Sequence, residues 1–223
     1  MQKFDTPAPV SAVLDIPTGR VRFVAADRAD TTVEILPADA SKSRDVEAAE
    51  RTGVTYDDGV LRIETAAARN RVLGASGSLE VTVRLPAGSH VEARAAGAEL
   101  RGVGRLGDVA LEGGQATVEL DEAGSTRLSL LAGDVSVGRL NGPAEISTRK
   151  GDIRVAEAVR GAVTLRTEHG GISVGAAHGV SASLDAGTGY GRIHNALQNT
   201  AGAGAGLNIR ATTAYGDISA HTL

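Results

Sequence analysis

The residues of this chain that could do chemistry return at glycine-rich turns. The stretch "TRKGDIRV", residues 148 to 155, is followed or preceded by near-copies: "LAGDVSV", "EHGGISV", "YGRIHN" and "YGDISA". The position after the glycine is acidic in most copies: Asp108, Asp134, Asp152 and Asp217. Gly171 and Arg192 hold it in two others, an irregularity that a row of metal ligands or catalytic carboxylates would not tolerate. We therefore interpret these aspartates as turn residues that accept hydrogen bonds from backbone N–H groups.

Paired carboxylates offer a second candidate chemistry. Glu119 with Asp121, or Asp121 with Glu122, could serve glycoside hydrolysis, which needs two carboxyl groups roughly 5 to 9 Å apart. Sugar-processing sites also need aromatic stacking surfaces, and the chain has two Phe, three Tyr and no Trp. We interpret these pairs as exposed charges on strands.

Nucleotide and metal motifs are weak. "GVGRLG", Gly102 to Gly107, has the spacing of a dinucleotide fingerprint, but the following "DVALEGG" predicts a strand where that fingerprint needs a helix. The five histidines, at positions 90, 169, 178, 194 and 221, have no metal-ligand spacing, and cysteine is absent. The sequence therefore predicts no metal and no cofactor.

Composition narrows the class of protein. Of 223 residues, 42% are hydrophobic and nearly all of these are aliphatic, which predicts a narrow core between closely spaced strands. The net charge of −4 arises from mixed charges, so nucleic acid is not an expected partner. The chain has no apolar run of the roughly 18 residues that a membrane span needs, and its first residues lack the pattern of a secretory signal. We expect a cytoplasmic protein, unless a signal has been removed.

The turns recur because they connect a repeating series of strands. One series of inward-type residues runs Leu128, Ile146, Leu165, Leu184, Ile209, and a second runs Val135, Ile153, Ile172, Ile193, Ile218. Steps of 18 and 19 residues leave no room for crossover helices, so the spacing predicts an all-β fold, a parallel β-helix or β-solenoid with coils of about 18–19 residues. Leu140 and Val159 suggest a third inward face and a roughly triangular cross-section.

We expect a single domain over residues 1–223. Residues 88–223 form the regular coils, and residues 1–87 form irregular N-terminal strands or a cap. Two polar insertions interrupt the N-terminal part: 37–53, where "RDVEAAER" could form a short helix, and 66–77. "QNTAGAGAG", residues 198–206, accounts for a late step of 25 residues as a loop.

Together these motifs resemble a known family. The succession of G-D-[IV]-x-V turns in "ISTRKGDI" and "LRTEHGGI", the opening "LDIPTGRVRF", the stretch "VTVRLPAGSHVEA" and the terminal "TAYGDISA" look like the bacterial putative-adhesin domain of unknown function. The resemblance covers nearly the whole chain. It implies a right-handed β-solenoid, and no catalytic residues come with the family.

The predicted β-solenoid would also place two candidate binding surfaces on the protein. Four residues, each three positions before a member of the second series, would form one exposed column: Lys150, His169, Tyr190 and Tyr215. We interpret this column either as a binding strip for an extended ligand or as a row of ordinary turn residues. Ile218 and Ala220 belong to the last strand, and only "HTL" follows. We therefore predict that this end of the stack is uncovered and serves self-association or strand addition by a partner protein.

The sequence thus favours a non-catalytic binding or scaffold protein of the putative-adhesin type. One alternative is a self-assembling filament protein similar in logic to the bactofilins. The other is a β-helix enzyme that acts on a polysaccharide, which would need a lined groove with paired carboxylates or a metal.

Overall fold

The computed structural model describes residues 1–66 and 77–223 and shows an all-β protein. The helical elements of these residues are one helix, α1 (Ser43–Glu50), and one 3₁₀ turn, Gly202–Gly204. Neither of them is long and apolar enough to cross a membrane. The strands are β1 (Gln2–Asp5), β2 (Ser11–Ala26), β3 (Asp30–Pro37), β4 (Thr52–Asp57), β5 (Val60–Thr65), β6 (Ser78–Pro86), β7 (His90–Arg105), β8 (Asp108–Ala123), β9 (Ser125–Ala132), β10 (Val135–Leu140), β11 (Ala144–Lys150), β12 (Ile153–Ala158), β13 (Gly161–His169), β14 (Ile172–Ala176), β15 (Ala182–Tyr190), β16 (Ile193–Ala196), β17 (Leu207–Tyr215) and β18 (Ile218–Thr222).

The strands form where apolar and polar side chains alternate. In β13, Val163, Leu165 and Thr167 are buried, and the residues between them are exposed. Successive side chains of a strand point to opposite faces, so this pattern buries one face and leaves the other in water. The alternation in "AVTLRT" therefore predicts the strand correctly.

All described strands belong to one hydrogen-bonded sheet, and from β7 onwards every pairing is parallel. Strands pair with strands 18 or 19 residues away in the sequence, as β10 does with β12 and β11 with β13, and we call two consecutive strands, such as β11 and β12, a layer. The second predicted series is confirmed as one column of paired residues, in the order Val135, Ile153, Ile172, Ile218, Ile193.

The order of that column corrects the predicted end of the stack. β17 lies between β13 and β15, and β18 lies between β14 and β16. The chain therefore passes from β14 to the outermost layer, formed by β15 and β16, and then returns through residues 197–206 to insert β17 and β18 one layer further in. The expectation that the C-terminal strand is the last in the stack is wrong, because this insertion gives it a partner on both sides.

The first predicted series holds in part. Ile146 pairs with Leu128 on one side and with Leu165 on the other, as predicted. Leu165 then pairs with Ala211, whereas Ile209 pairs with Val163. This shift by two residues keeps inward residues inward, because side chains on one face of a strand are two positions apart.

A third buried row also exists, with a different register from the one predicted. Leu140 pairs with Ala158, and both side chains are fully buried. Val159 follows Ala158 and is only half-buried. The predicted alignment of Leu140 with Val159 is therefore wrong by one residue.

The N-terminal part covers the other end of the core with mixed pairing. β2 pairs in parallel with β7 on one side and with β5 and β6 on the other. β3 lies antiparallel to β6 and to β1, and β4 lies antiparallel to β5. The predicted helix is confirmed as α1, which packs against β3, β4 and β6 and buries Ala48. Most of the second insertion, 66–77, lies outside the described residues.

The core is aliphatic, as the composition predicts. Its buried side chains are Val, Leu, Ile and Ala together with Phe23, which has no exposed surface. Each fully buried Leu or Ile contributes roughly 1.5 to 3 kcal/mol. Aliphatic side chains therefore form nearly all of the core of the described residues.

Candidate binding surface

The turns that follow β11, β13, β17 and β15 share one local pattern, T-x-x-G-[DGR]-I, which begins at Thr148, Thr167, Thr213 and Thr188. The glycine of each turn has a positive φ, between +143° and +155°. A Cβ on Gly170 would lie 2.0 Å from the carbonyl oxygen of Gly151 in the adjacent layer. Only glycine fits such a position, so the stacking of layers requires glycine in every copy of the turn.

The threonines fix these turns from the inside. The Thr167 hydroxyl donates to the carbonyl oxygen of Gly151 at 3.0 Å, and the Thr213 hydroxyl donates to that of Gly170 at 3.0 Å. Both threonines are buried, so each hydroxyl finds its partner in the adjacent layer. The turns are therefore cross-linked by a row of hydrogen bonds whose role the sequence analysis did not recognise, although the spacing of Thr and Gly repeats visibly.

Asp134, Asp152 and Asp217 accept backbone hydrogen bonds as predicted, each from a neighbouring layer, whereas Asp108 accepts from the hydroxyl of Ser125 at 2.7 Å. The carboxylate of Asp134 accepts from the N–H of Asp152 at 2.8 Å, and that of Asp152 accepts from the N–H of Gly171 at 2.7 Å. Asp217 accepts from the backbone N–H of Arg192 at 2.8 Å and from its guanidinium at 3.0 Å. The backbone hydrogen bond, followed by the side-chain one, lowers the pKa of Asp217 below its ordinary value. These carboxylates hold turns together.

The predicted column of side chains comes together on the outer side of the turns. Lys150 is paired with His169, His169 with Tyr215, and Tyr215 with Tyr190. The rings of His169 and Tyr215 stack at a centroid distance of 5.1 Å with 8° between their planes. The rings of Tyr215 and Tyr190 stack at 5.0 Å with 5° between them. Tyr215 therefore lies in the middle of the column, and Tyr190 is its outermost member.

The stacked side chains of the column are exposed to solvent. Tyr190 is 71% exposed and Tyr215 is 52% exposed, which is unusual for large aromatic side chains in so aliphatic a protein. Their spacing follows from the strand spacing of about 4.8 Å, since both strands of each pair end at the same turn. The arrangement offers a row of ring edges and phenolic hydroxyls with one ammonium group at the inner end. Such amphipathic rings suit protein interfaces.

The predicted association end is not where the sequence analysis placed it. Ile218 is 1% exposed and Ala220 is not exposed at all. Both residues lie on β18, which has a strand on either side. Ile193 on β16 is the outermost residue of the column that contains Ile218, and it is 45% exposed.

The carboxylates considered for glycoside chemistry engage in local contacts. Glu119 forms an ion pair with Arg101, and Asp121 accepts from the backbone N–H of Gly104 at 3.1 Å. The Glu122 carboxylate accepts from the side-chain amide of Asn141 at 2.8 Å. These contacts fit the interpretation of exposed charges on strands.

The glycine motif and the histidines likewise have local roles. Gly102 lies in β7, and β8 follows the motif, so no helix begins there. The Nδ1 of His90 accepts from the N–H of Asp108 at 3.0 Å, and the ring of His178 contacts the carbonyl oxygen of Leu223. Within the described ranges, no three His, Asp or Glu side chains come together as metal ligands.

A second surface feature was not predicted. A shallow open groove of about 510 Å³ runs where successive layers begin, and its lining comprises Asp108, Gly124, Ser125, Asn141, Gly142, Pro143, Arg160, Gly161 and Gly206. Glycine and proline make up much of this lining, so the groove offers few side-chain groups to a ligand. The turn residues "NGP", 141–143, and "RG", 160–161, lie in this lining.

Comparison with solved structures supports the fold. A putative adhesin from Bacteroides fragilis has a TM-score of 0.60 at 13% identity, over 98% of this chain and 95% of that chain. Putative adhesins from Parabacteroides distasonis and Parabacteroides merdae give TM-scores of 0.49 and 0.46 at 14% and 12% identity, over 98% of this chain and 95% and 94% of theirs. No family model and no curated protein matches the chain. The likeness to the Bacteroides fragilis protein confirms, at the level of the fold, the resemblance to putative adhesins stated from the motifs.

Proposed function

We propose that this chain is a non-catalytic binding protein of the putative-adhesin type, and that the column of Lys150, His169, Tyr215 and Tyr190 contacts an extended segment of a partner protein. The observation that carries the proposal is the stacking of the three rings at 5.0 and 5.1 Å on one exposed row. Rings already held by their neighbours lose little conformational freedom when a partner binds, which favours affinity.

We also propose that the whole chain winds as one β-solenoid. Parallel pairing at shifts of 18 and 19 residues, the column of isoleucines and the stacked glycine turns all support this architecture. The likeness in fold to the Bacteroides fragilis adhesin supports it as well. A solenoid would hold the column straight, so the partner segment would run along the stack and meet one ring from each layer.

The chemistry of the column indicates what the partner segment carries. Lys150 provides a positive charge at one end of the row, and the two tyrosines provide hydroxyl groups that donate and accept. We expect an extended peptide with an acidic residue near Lys150 and apolar or amide side chains over the tyrosines. Tyrosine is enriched among the residues that carry most of the binding energy at protein interfaces.

A random peptide library selected on the immobilised protein tests this role. The dissociation constants of the selected peptides are then measured for the wild type, for Tyr215→Ala and for Arg94→Ala, which removes an exposed charge on the distant strand β7. We expect at least tenfold weaker binding for Tyr215→Ala and less than a twofold change for Arg94→Ala. Peptides that bind all three proteins equally would show that the column is an ordinary row of turn residues.

Two measurements separate the alternative functions. Electron micrographs of the purified protein would show filaments if it were a bactofilin-like polymer, whereas the binding role predicts discrete particles. Release of sugars from a polysaccharide panel, lost in Glu119→Gln, would favour the enzyme. We expect no release, since Glu119 is engaged with Arg101.

A further inference from the structure

The outermost layer, β15 and β16, has one free edge. Among the described strands, β15 pairs with β17 alone and β16 with β18 alone. On the other side of these strands the N–H of Ala182 donates to the carbonyl oxygen of Gln198 at 3.0 Å, and the backbone N–H and C=O groups nearer the turn between β15 and β16 have no partner among the described strands. A free strand edge of this kind is a template for another strand, and proteins that avoid association usually protect it.

This edge lacks the usual protection. The sequence of β15, "ASLDAGTGY", and that of β16, "IHNA", contain neither lysine nor proline. The charge of Asp185 is compensated by Arg210 at 3.0 Å, and Arg192 beside the edge is compensated by Asp217 at 3.0 Å. An edge without net charge does not repel an identical edge. It also has no opposite charge that would attract a strongly charged segment of another protein.

Three apolar side chains that face the core in this layer are incompletely covered. Ile193 is 45% exposed, and Leu184 and Ala186 are half-buried, although their counterparts in β17 and β18 are buried. Covering them would remove apolar surface from water, which favours association. Their exposure marks the place where the next layer of a stack would lie.

Tyr190 specifies how that layer is oriented. Its inner ring face stacks on Tyr215, and its side chain is 71% exposed, so its outer face is open to a further ring. The ring spacing of 5.0 Å equals the spacing of neighbouring strands, about 4.8 Å. A partner that carries a ring at the same turn of its own edge layer could therefore pair its strands and stack its ring at once. An identical copy of this chain is such a partner.

We propose that two copies of this chain dock edge to edge about a two-fold axis at the turn between β15 and β16. The Tyr190 rings of the two copies stack on each other, and β15 of one copy runs antiparallel to β16 of the other. The result is one continuous row of six rings, His169, Tyr215 and Tyr190 from each copy. This inference does not depend on the partner proposed for the column.

The opposite end of the stack explains why association stops at a pair. There β3, β4 and α1 cover the core, and β1 is only four residues long and carries Lys3 and Asp5. A two-fold contact uses the same surface on both copies and closes, whereas a filament needs two different complementary ends. Among the described strands β1 and β4 also pair on one side only, but β15 and β16 form the edge that carries an exposed aromatic ring, Tyr190.

Sedimentation velocity and directed disulfide formation test the proposal together. We expect the wild type to sediment as a dimer and Ala186→Arg, which adds a charge to the free end, as a folded monomer. The chain has no cysteine, so Tyr190→Cys introduces a single thiol beside the axis, where two thiols can meet. Lys150→Cys, an exposed thiol in the same column but away from the edge, is the matched control.

The expected result is disulfide dimer formation at least tenfold faster in Tyr190→Cys than in Lys150→Cys. A wild type that remains monomeric at millimolar concentration would overturn the proposal. Equal coupling rates of the two cysteine variants would overturn the two-fold arrangement, and this readout remains decisive if Ala186→Arg does not fold. A monomer that instead captures extended peptides at this edge would assign the edge to another protein.

Discussion

Truncation of two isoleucines from one column tests the order of the layers. Ile218 and Ile193 are direct neighbours in the column, yet Ile218 is 1% exposed and Ile193 is 45% exposed. If layers followed chain order, Ile193 would lie inside the stack and Ile218 at its end. The structure has the opposite order, so the relative cost of the two truncations distinguishes the arrangements.

The expected magnitudes follow from burial. Ile218→Ala removes a fully enclosed side chain and leaves a cavity, which typically costs about 2–5 kcal/mol. About half of the Ile193 side chain is already in water, so Ile193→Ala forfeits only part of the transfer free energy and leaves no closed cavity, and we expect about 1 kcal/mol. Because stability in a stack depends mainly on neighbouring layers, local opening of the end layer lowers the second value further.

Urea denaturation followed by circular dichroism measures both values. The protein is kept dilute enough to be monomeric, so that docking of a second copy does not cover Ile193. The m-value must stay unchanged for the comparison to report stability alone. A larger loss for Ile193→Ala than for Ile218→Ala would refute the inserted order of β17 and β18.

Three further outcomes are expected. Ile153→Asp places a charge in the core and should unfold the protein or cost several kcal/mol, while Lys150→Ala on the exposed row should stay within about 0.5 kcal/mol, as melting temperatures will show. Gly170→Ala forces a Cβ against backbone at a positive φ and should lower the free energy of unfolding by more than about 2 kcal/mol. Gly187→Ala is the control and should be nearly neutral, because a Cβ at Gly187 would have no neighbouring atom within 4 Å. The pKa of Asp217 is lowered in the folded protein, so its carboxylate contributes fully to the free energy of unfolding above the ordinary aspartate pKa of about 3.9. This contribution is lost as the pH falls through the pKa of the folded state. The difference in stability between Asp217→Asn and wild type should therefore be present at pH 7 and disappear in acid.

Much of the fold and of the site was predictable because the repeat is local. Each turn needs glycine next to the previous layer's backbone, and each strand needs alternating apolar residues, so both requirements are written into every copy of the motif. The column of His169, Tyr215 and Tyr190 could be inferred for the same reason, since a fixed distance from a buried isoleucine becomes a fixed place on the surface. The threonine hydrogen bonds were missed because a buried Thr and an exposed Thr look alike in a strand pattern.

The order of the last layers could not be read from spacing, because every layer presents the same kind of inward residue to its neighbours. A loop of ten residues, 197–206, is long enough to cross one strand spacing in either direction, so chain connectivity does not decide between them. Side-chain composition does carry information. β17, "LNIRATTAY", alternates without interruption and buries Leu207, Ile209 and Ala211, whereas β15, "ASLDAGTGY", contains two glycines and few large apolar residues. Placing β17 inside removes more apolar surface from water than placing β15 there, and the glycine-rich layer loses least by remaining outside. The hydrophobic effect therefore favours the inserted order. The layer of β15 and β16 remains at the end of the stack, and its large exposed hydrophobic residues are Tyr190 and Ile193.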